Sequence, residues 1–204
     1  MTRKYIVVSG LLGVVVLMSV YYLVGKPLLQ DRTISVTTNH TVENTELSFS
    51  FSYPSGEAGY ALIEPPVAST SELKQAYLLI ENDEYISFQA AESTAEAPPT
   101  ISIFVFNTPE RTDTNADAGR VTRLQSWAAN YPQYSGYTTI DSEPEVTEVD
   151  GATALRYTSA GVYEQEVFLV SYQRKTYVFV GQYIEQTDPI RTTFTDLMES
   201  VLFE

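Results

Sequence analysis

An unbroken apolar run, Tyr5 to Val24, follows Arg3 and Lys4 and contains no charged residue. Twenty residues at the helical rise span about 30 Å, the thickness of a bilayer's hydrocarbon core. Twelve of the twenty are Val, Leu or Ile. At roughly −0.3 to −0.6 kcal/mol each on an insertion scale, they outweigh the two glycines and two serines of the run. The run is longer than the core of a cleavable signal, and Tyr21-Tyr22-Leu23-Val24-Gly25-Lys26-Pro27 offers no Ala-x-Ala cleavage pattern. The chain has no cysteine to carry a lipid. The sequence therefore predicts an uncleaved signal anchor, with residues 5–24 in the lipid bilayer and residues 1–26 forming a cytoplasmic stub and single transmembrane helix. Tyr5, Tyr21 and Tyr22 suit the interfacial belts. Arg3, Lys4 and the α-amine, weighed against Lys26 and Arg32, put the N-terminus in the cytoplasm and the rest of the chain on the extracytoplasmic side of the cell membrane.

Beyond residue 26 there are nine Lys and Arg against all 26 Asp and Glu, a formal charge of −17. Such a field repels nucleic acid and anionic headgroups. Solubility alone accounts for it; attraction of cations or of a basic partner is the sharper alternative. With no cysteine there are no disulfides, and a domain of about 160 residues buries enough surface to need none. Cysteine absence and the anchor together point to a bacterial envelope protein. Asn39-His40-Thr41 is a lone, formal glycosylation sequon.

Residues 27–45 read as a tether. Thr33 to Thr45 lacks a sustained apolar pattern, and either adds an edge strand or simply spans from the membrane. The folded domain is expected over residues 46–204. Leu47, Phe49, Phe51 and Tyr53 alternate with Ser48, Ser50 and Ser52, a half-buried strand. Ala76–Ile80 and Tyr85–Phe88, joined by Asn82-Asp83, read as a hairpin, with a short helix over Ser71–Glu81 as the alternative. Ile101–Phe106 is apolar on both faces and reads as a central strand. Val121, Leu124, Ala128 and Tyr131 fall at helical spacing over Arg120–Tyr131, with Trp127 beside them to pack that helix on a sheet. Asp150-Gly151 tolerates the positive φ of a tight turn between Glu145–Val149 and Ala152–Thr158. A second hairpin pairs Glu166–Tyr172 with Thr176–Tyr183 across residues 173–175. A closing helix starts at Asp188, placed to cap it, with Pro189 in its first position and Ile190, Phe194, Leu197 and Val201 in one stripe. Hairpin-joined strands with packed helices predict an α+β fold, an antiparallel β-sheet with flanking helices.

Several pieces, in this order and spacing, resemble the PsbP/Mog1-like fold family, in particular small bacterial membrane-anchored PsbP-like domains. They are Phe49-Ser50-Phe51-Ser52-Tyr53-Pro54, Pro98-Pro99-Thr100-Ile101-Ser102-Ile103, Trp127, Val149-Asp150-Gly151-Ala152 and a terminal helix reaching from Phe194 to Leu202-Phe203. The resemblance spans about residues 46–204. It implies a sheet flanked by helices and a mostly non-enzymatic role in binding or assembly, and it carries over no catalytic residue.

The sharpest local motif is Asp113-Thr114-Asn115-Ala116-Asp117-Ala118-Gly119. Asp113, Asn115 and Asp117 place oxygens at alternate positions, as a calcium loop begins. Its glycine falls one position late, and Leu124 stands where a bidentate Glu belongs. The other reading is a polar loop leading into the helix, with Asp117 near its positive end. Ser71-Glu72-Leu73-Lys74 matches the S-x-x-K nucleophile pattern, without its S-D-N and K-T-G companions. His40, the sole histidine, falls in the tether, where it is poorly suited to a catalytic triad, and a lone histidine makes a multi-histidine zinc site impossible. The pairs Glu143/Glu145 and Glu164/Glu166 sit at strand spacing and read as a solvated strand face. No phosphate-binding glycine loop is present. The expectation is a non-catalytic binding or assembly module with no catalytic residues and no cofactor, docking an unidentified envelope protein. The alternatives are a calcium- or small-ligand-responsive sensor using residues 113–119 and, third, a serine-type envelope hydrolase using Ser71 and Lys74.

Overall fold

A computed structural model describes residues 37–68, 71–91, 96–108 and 117–204. The predicted anchor, the tether up to residue 36, and Asp113 and Asn115 lie outside the described residues. Among the described residues no helix is long and apolar enough to cross a membrane.

The chain order is β1 (Thr38–Asn44), β2 (Phe49–Ser55), β3 (Tyr60–Ile63), β4 (Leu73–Glu81), α1 (Asn82–Ala90), β5 (Ile101–Asn107), α2 (Asp117–Asn130) and α3 (Pro132–Ser135), then a 3-10 turn at Tyr137–Thr139. There follow β6 (Glu145–Val149), β7 (Ala152–Ala160), β8 (Glu164–Tyr172), β9 (Lys175–Tyr183), α4 (Pro189–Ser200) and β10 (Leu202–Phe203). Seven strands form one antiparallel sheet in the order β3-β4-β5-β9-β8-β7-β6, and β1-β2-β10 form a second. The architecture is α+β, as expected. Two meanders, β3-β4-β5 and β6-β7-β8-β9, meet where β5 pairs with β9 from Ile101↔Gly181 to Asn107↔Lys175. The connection between them carries α2 and α3 across one face.

Strand alternation decides what each face buries. On one face Phe49, Phe51 and Tyr53 of β2 pack with Tyr77, Ile103, Tyr177 and Phe179 of the large sheet and with Ile190, Phe194 and Leu197 of α4. Phe51 is fully buried, its ring 5.5 Å from that of Tyr77 in an edge-on contact. The buried Tyr177 hydroxyl donates to the Leu47 carbonyl at 2.6 Å. Helix α4 continues the small sheet's layer: the Ser52 N–H donates to Ser200 Oγ at 2.8 Å, and β10 pairs with β2 just beyond. On the other face Leu124, Trp127 and Ala128 of α2 cover Phe106, Leu155, Leu169 and Val178. Trp127 packs the helix on the sheet as expected, 4.9 Å edge-on to Phe106 and stacked on Tyr131 at 4.7 Å.

Four local expectations are corrected. Within the expected tether, residues 38–44 take the edge-strand alternative and pair along the whole of β2, so the folded domain begins before Glu46. The segment read as a second hairpin arm, Tyr85–Phe88, lies in α1. That helix buries none of its residues, carries Asp83 and Glu84 in its first turn, and is anchored where the Asn82 N–H donates to the Gly59 carbonyl at 3.0 Å. Asp188 leaves the end of α4 uncapped. Its carboxylate instead accepts the Ile184 and Glu185 N–H groups, each at 2.8 Å. The final helix stops at Ser200 because Val201 turns extended, and Leu202-Phe203 form β10. The Asp150-Gly151 turn has positive φ at both residues, as expected. The β8–β9 turn needs only Gln173 and Arg174, both also at positive φ.

Gly181 is where α4 approaches the sheet most closely. A Cβ there would sit 2.5 Å from Phe194 Cγ. Overpacking of this kind costs about 1–3 kcal/mol, so Gly181→Ala should lower the thermal midpoint by roughly 3–10 °C, and adding Phe194→Leu should recover part of the loss. An unchanged midpoint in Gly181→Ala would contradict the placement of α4. Burial pushes the hydroxyls of Tyr157, Tyr177 and Tyr60 above the ordinary tyrosine value of 10.0. These groups ionise first in the unfolded chain, so their contribution is intact below pH 10 and is lost as pH rises above it. Denaturant titrations from pH 8 to 12 should show an alkaline fall in stability that Tyr157→Phe makes shallower.

Candidate functional site

Register places one end of the large sheet at the start of β3, the end of β4, the start of β5, the end of β9, the start of β8 and the end of β7. The short turn from β2 into β3 brings Ser55 to this end, and Thr38 lies opposite Ser55. The N-terminal segment thus joins the domain at this pole.

The turn between β7 and β8, with Glu96, Glu164 and Ile184, lines an open cleft of about 410 Å³. Val162 and Ile184 line it while 75% and 64% exposed. Local bonds hold them there. The Ile184 N–H is fixed by Asp188. The Gly161 N–H donates to the Tyr163 carbonyl at 3.0 Å, and the Tyr163 hydroxyl donates to the Ala97 carbonyl at 2.7 Å. Carboxylates crowd the same pole. Burial, then the neighbouring charges of Glu81 and Asp188, holds the Glu84 carboxyl above its ordinary range. Burial together with Glu96 and Glu84 pushes up the Tyr163 hydroxyl. Glu164 accepts from Gln186 Nε2 at 3.0 Å.

Beside the pole, Glu166 corrects the solvated-face reading of Glu164/Glu166. Glu164 is exposed, whereas Glu166 is only 4% exposed. Arg156 donates to Glu166 Oε1 through Nε at 2.7 Å and Nη2 at 2.6 Å. Arg191 Nε lies 3.8 Å from Oε2 and is a buried nitrogen with no hydrogen-bond partner. The two guanidiniums lie over Phe168 and Tyr183, at 5.5 and 5.3 Å from the ring centroids. A carboxylate on a sheet face that α4 covers needs such compensation for its lost hydration. It has almost no surface open to a substrate, and the arrangement pins α4 to β7 and β8. Sequence spacing carries no signal for it, because the arginines come from β7 and α4. The other pair fits the expectation better: Glu143 and Glu145 are both exposed, the first in a loop and the second on β6.

The other sequence candidates do not converge. Ser71 Oγ accepts the Leu73 N–H at 3.1 Å, and Lys74 Nζ donates to the Ser71 carbonyl at 3.0 Å. The lysine thus meets the serine's backbone and not its hydroxyl. His40 stands on β1 opposite Tyr53, ring centroids 5.5 Å apart, edge-on. Asp117 opens α2, while Asp113 and Asn115 lie outside the described residues. Among the described residues no three His, Cys, Asp or Glu side chains gather as a metal site would require.

No protein-family model matches the chain, and no curated protein does. Among solved structures the chain is similar to cyanobacterial PsbP (CyanoP) from Synechocystis sp. PCC 6803, a solution structure. Identity is 14%, over 88% of this chain and 100% of that one, with a TM-score of 0.49.

Replacing Glu166 with Gln leaves two guanidiniums at the α4 interface without their shared countercharge. Because both are partly solvent-exposed, the loss should be about 1–3 kcal/mol and not the full cost of a buried unpaired charge. Urea titration of Glu166→Gln checks this, and a midpoint equal to that of the parent protein would show that the triad does not hold α4.

Proposed function

We propose that this chain is a membrane-anchored, extracytoplasmic, non-catalytic module that docks another component of the cell envelope. The pole where the N-terminal segment enters is its docking surface. The observation that carries this reading is the pairing of Val162 and Ile184, two large apolar side chains exposed in one cleft. Exposed apolar groups gathered in one place and rimmed by polar groups mark interaction sites, whereas single scattered ones do not. The apolar run over residues 5–24 supports the anchor, and the net charge of the remainder argues against nucleic acid. Ser71 and Lys74 support binding over hydrolysis, since the lysine does not reach the serine hydroxyl it would have to activate.

In-cell crosslinking of the full-length protein, with mass spectrometry of the captured species, tests the reading. A reproducible envelope partner should appear, and it should be lost when residues 38–204 are deleted with the anchor kept. Hydrolytic turnover by the purified full-length protein, abolished by Ser71→Ala, would contradict it.

A further inference from the structure

We infer that the cleft at the tether pole receives a cationic segment of a membrane-embedded partner protein, with one apolar side chain seated between Val162 and Ile184 and Lys or Arg on its flanks. This rests on the docking reading above and names the chemistry of what docks.

The apolar part follows from the two aliphatic side chains, 75% and 64% exposed in a cleft of about 410 Å³. That volume is within the roughly 300–1,000 Å³ of ordinary ligand pockets. The cationic part follows from the rim. Glu96 and Glu164 line the cleft itself. Glu81 and Asp188 each lie close enough to Glu84 for their charges to act on it, and Glu84 and Glu96 both act on Tyr163 in the turn that carries Val162. A partner bearing positive charge relieves this like-charge crowding as it docks, which raises both its affinity and its encounter rate. The same field disfavours the other occupants. A second copy of the chain brings its own net charge of −17 beyond residue 26, and an anionic lipid surface is repelled for the same reason.

The membrane part follows from topology. The N-terminal segment enters at Thr38, at this same pole. The thirteen residues 25–37 join it to the predicted span, and fully extended they reach about 43 Å at 3.3 Å each. In the anchored protein Thr38 is thereby held within that distance of the bilayer surface, with the cleft at the same end of the sheet, toward the membrane where a membrane-embedded partner presents its extracytoplasmic loops.

The test uses full-length protein in nanodiscs of zwitterionic lipid, with methyl NMR of Val162 and Ile184. The probe is the capped hexapeptide Lys-Lys-Leu-Leu-Lys-Lys. Saturable shifts should centre on these two methyl-bearing residues. Val162→Ser with Ile184→Ser, both at exposed positions that tolerate substitution, should weaken binding roughly ten-fold. Glu96→Gln with Glu164→Gln should weaken it several-fold and flatten its salt dependence. Shifts centred elsewhere, or equal binding of the peptide with glutamates in place of lysines, would overturn the inference. So would shifts induced by anionic vesicles and not by the peptide, which would assign the cleft to lipid. The two readings fail separately. A crosslinked envelope partner that persists undiminished in the Val162→Ser, Ile184→Ser protein leaves the docking function standing and removes the cleft from it. Absence of any partner removes both.

Discussion

The pairing of β5 with β9 is the constraint on which the rest of the molecule depends. It joins two meanders whose paired residues, from Ile101↔Gly181 to Asn107↔Lys175, are far apart in the chain. Closing so long a loop costs conformational entropy before any contact is made. Burial on both faces offsets it: Ile101, Ile103 and Val105 of β5 and Tyr177 and Phe179 of β9 on one side, Phe106, Val178 and Val180 on the other. The crossover that the pairing demands is the segment holding α2, which covers the second face. The first face is left to the small sheet and α4.

Function in this account is a consequence of how the ends of that sheet are finished. At the pole where β7, β8 and β9 meet the entry of the chain, the turns carry side chains that the core does not use. Val162 and Ile184 face solvent, beside a Tyr163 hydroxyl bonded to the Ala97 carbonyl and an Ile184 N–H held by Asp188. Beside them, the Arg156–Glu166–Arg191 group locks the start of α4 to the sheet. The proposed docking surface thus sits on turns tied by hydrogen bonds, and a partner would need to order little of it.

The parts of the fold legible in the sequence are those whose pattern is local. The alternation Phe49, Phe51, Tyr53, the two-faced apolarity of Ile101–Phe106, the Asp150-Gly151 turn and the stripe of Ile190, Phe194 and Leu197 each specify their own element. What was misread lacks a local signature. β1 is an almost wholly exposed polar edge strand, with no alternation to separate it from a tether. α1 buries no residue, and its Tyr85-Ile86-Ser87-Phe88 run imitates a strand. The burial of Glu166 depends on arginines 10 and 25 positions away, on β7 and α4. The cleft was equally invisible: Val162 and Ile184 look like ordinary strand-end residues until the register brings them to one pole, and nothing in their spacing marks them as neighbours.

The central claim is that partners meet this domain at the tether pole. Site-specific photocrosslinking in cells addresses it most directly, with a photoreactive amino acid placed at Val162, at Ile184, or at Ser126 on the exposed side of α2. The account predicts the same captured envelope protein from positions 162 and 184, and little or none from 126. Capture from 126 with none from 162 or 184 would contradict it and move the docking surface to the helical face.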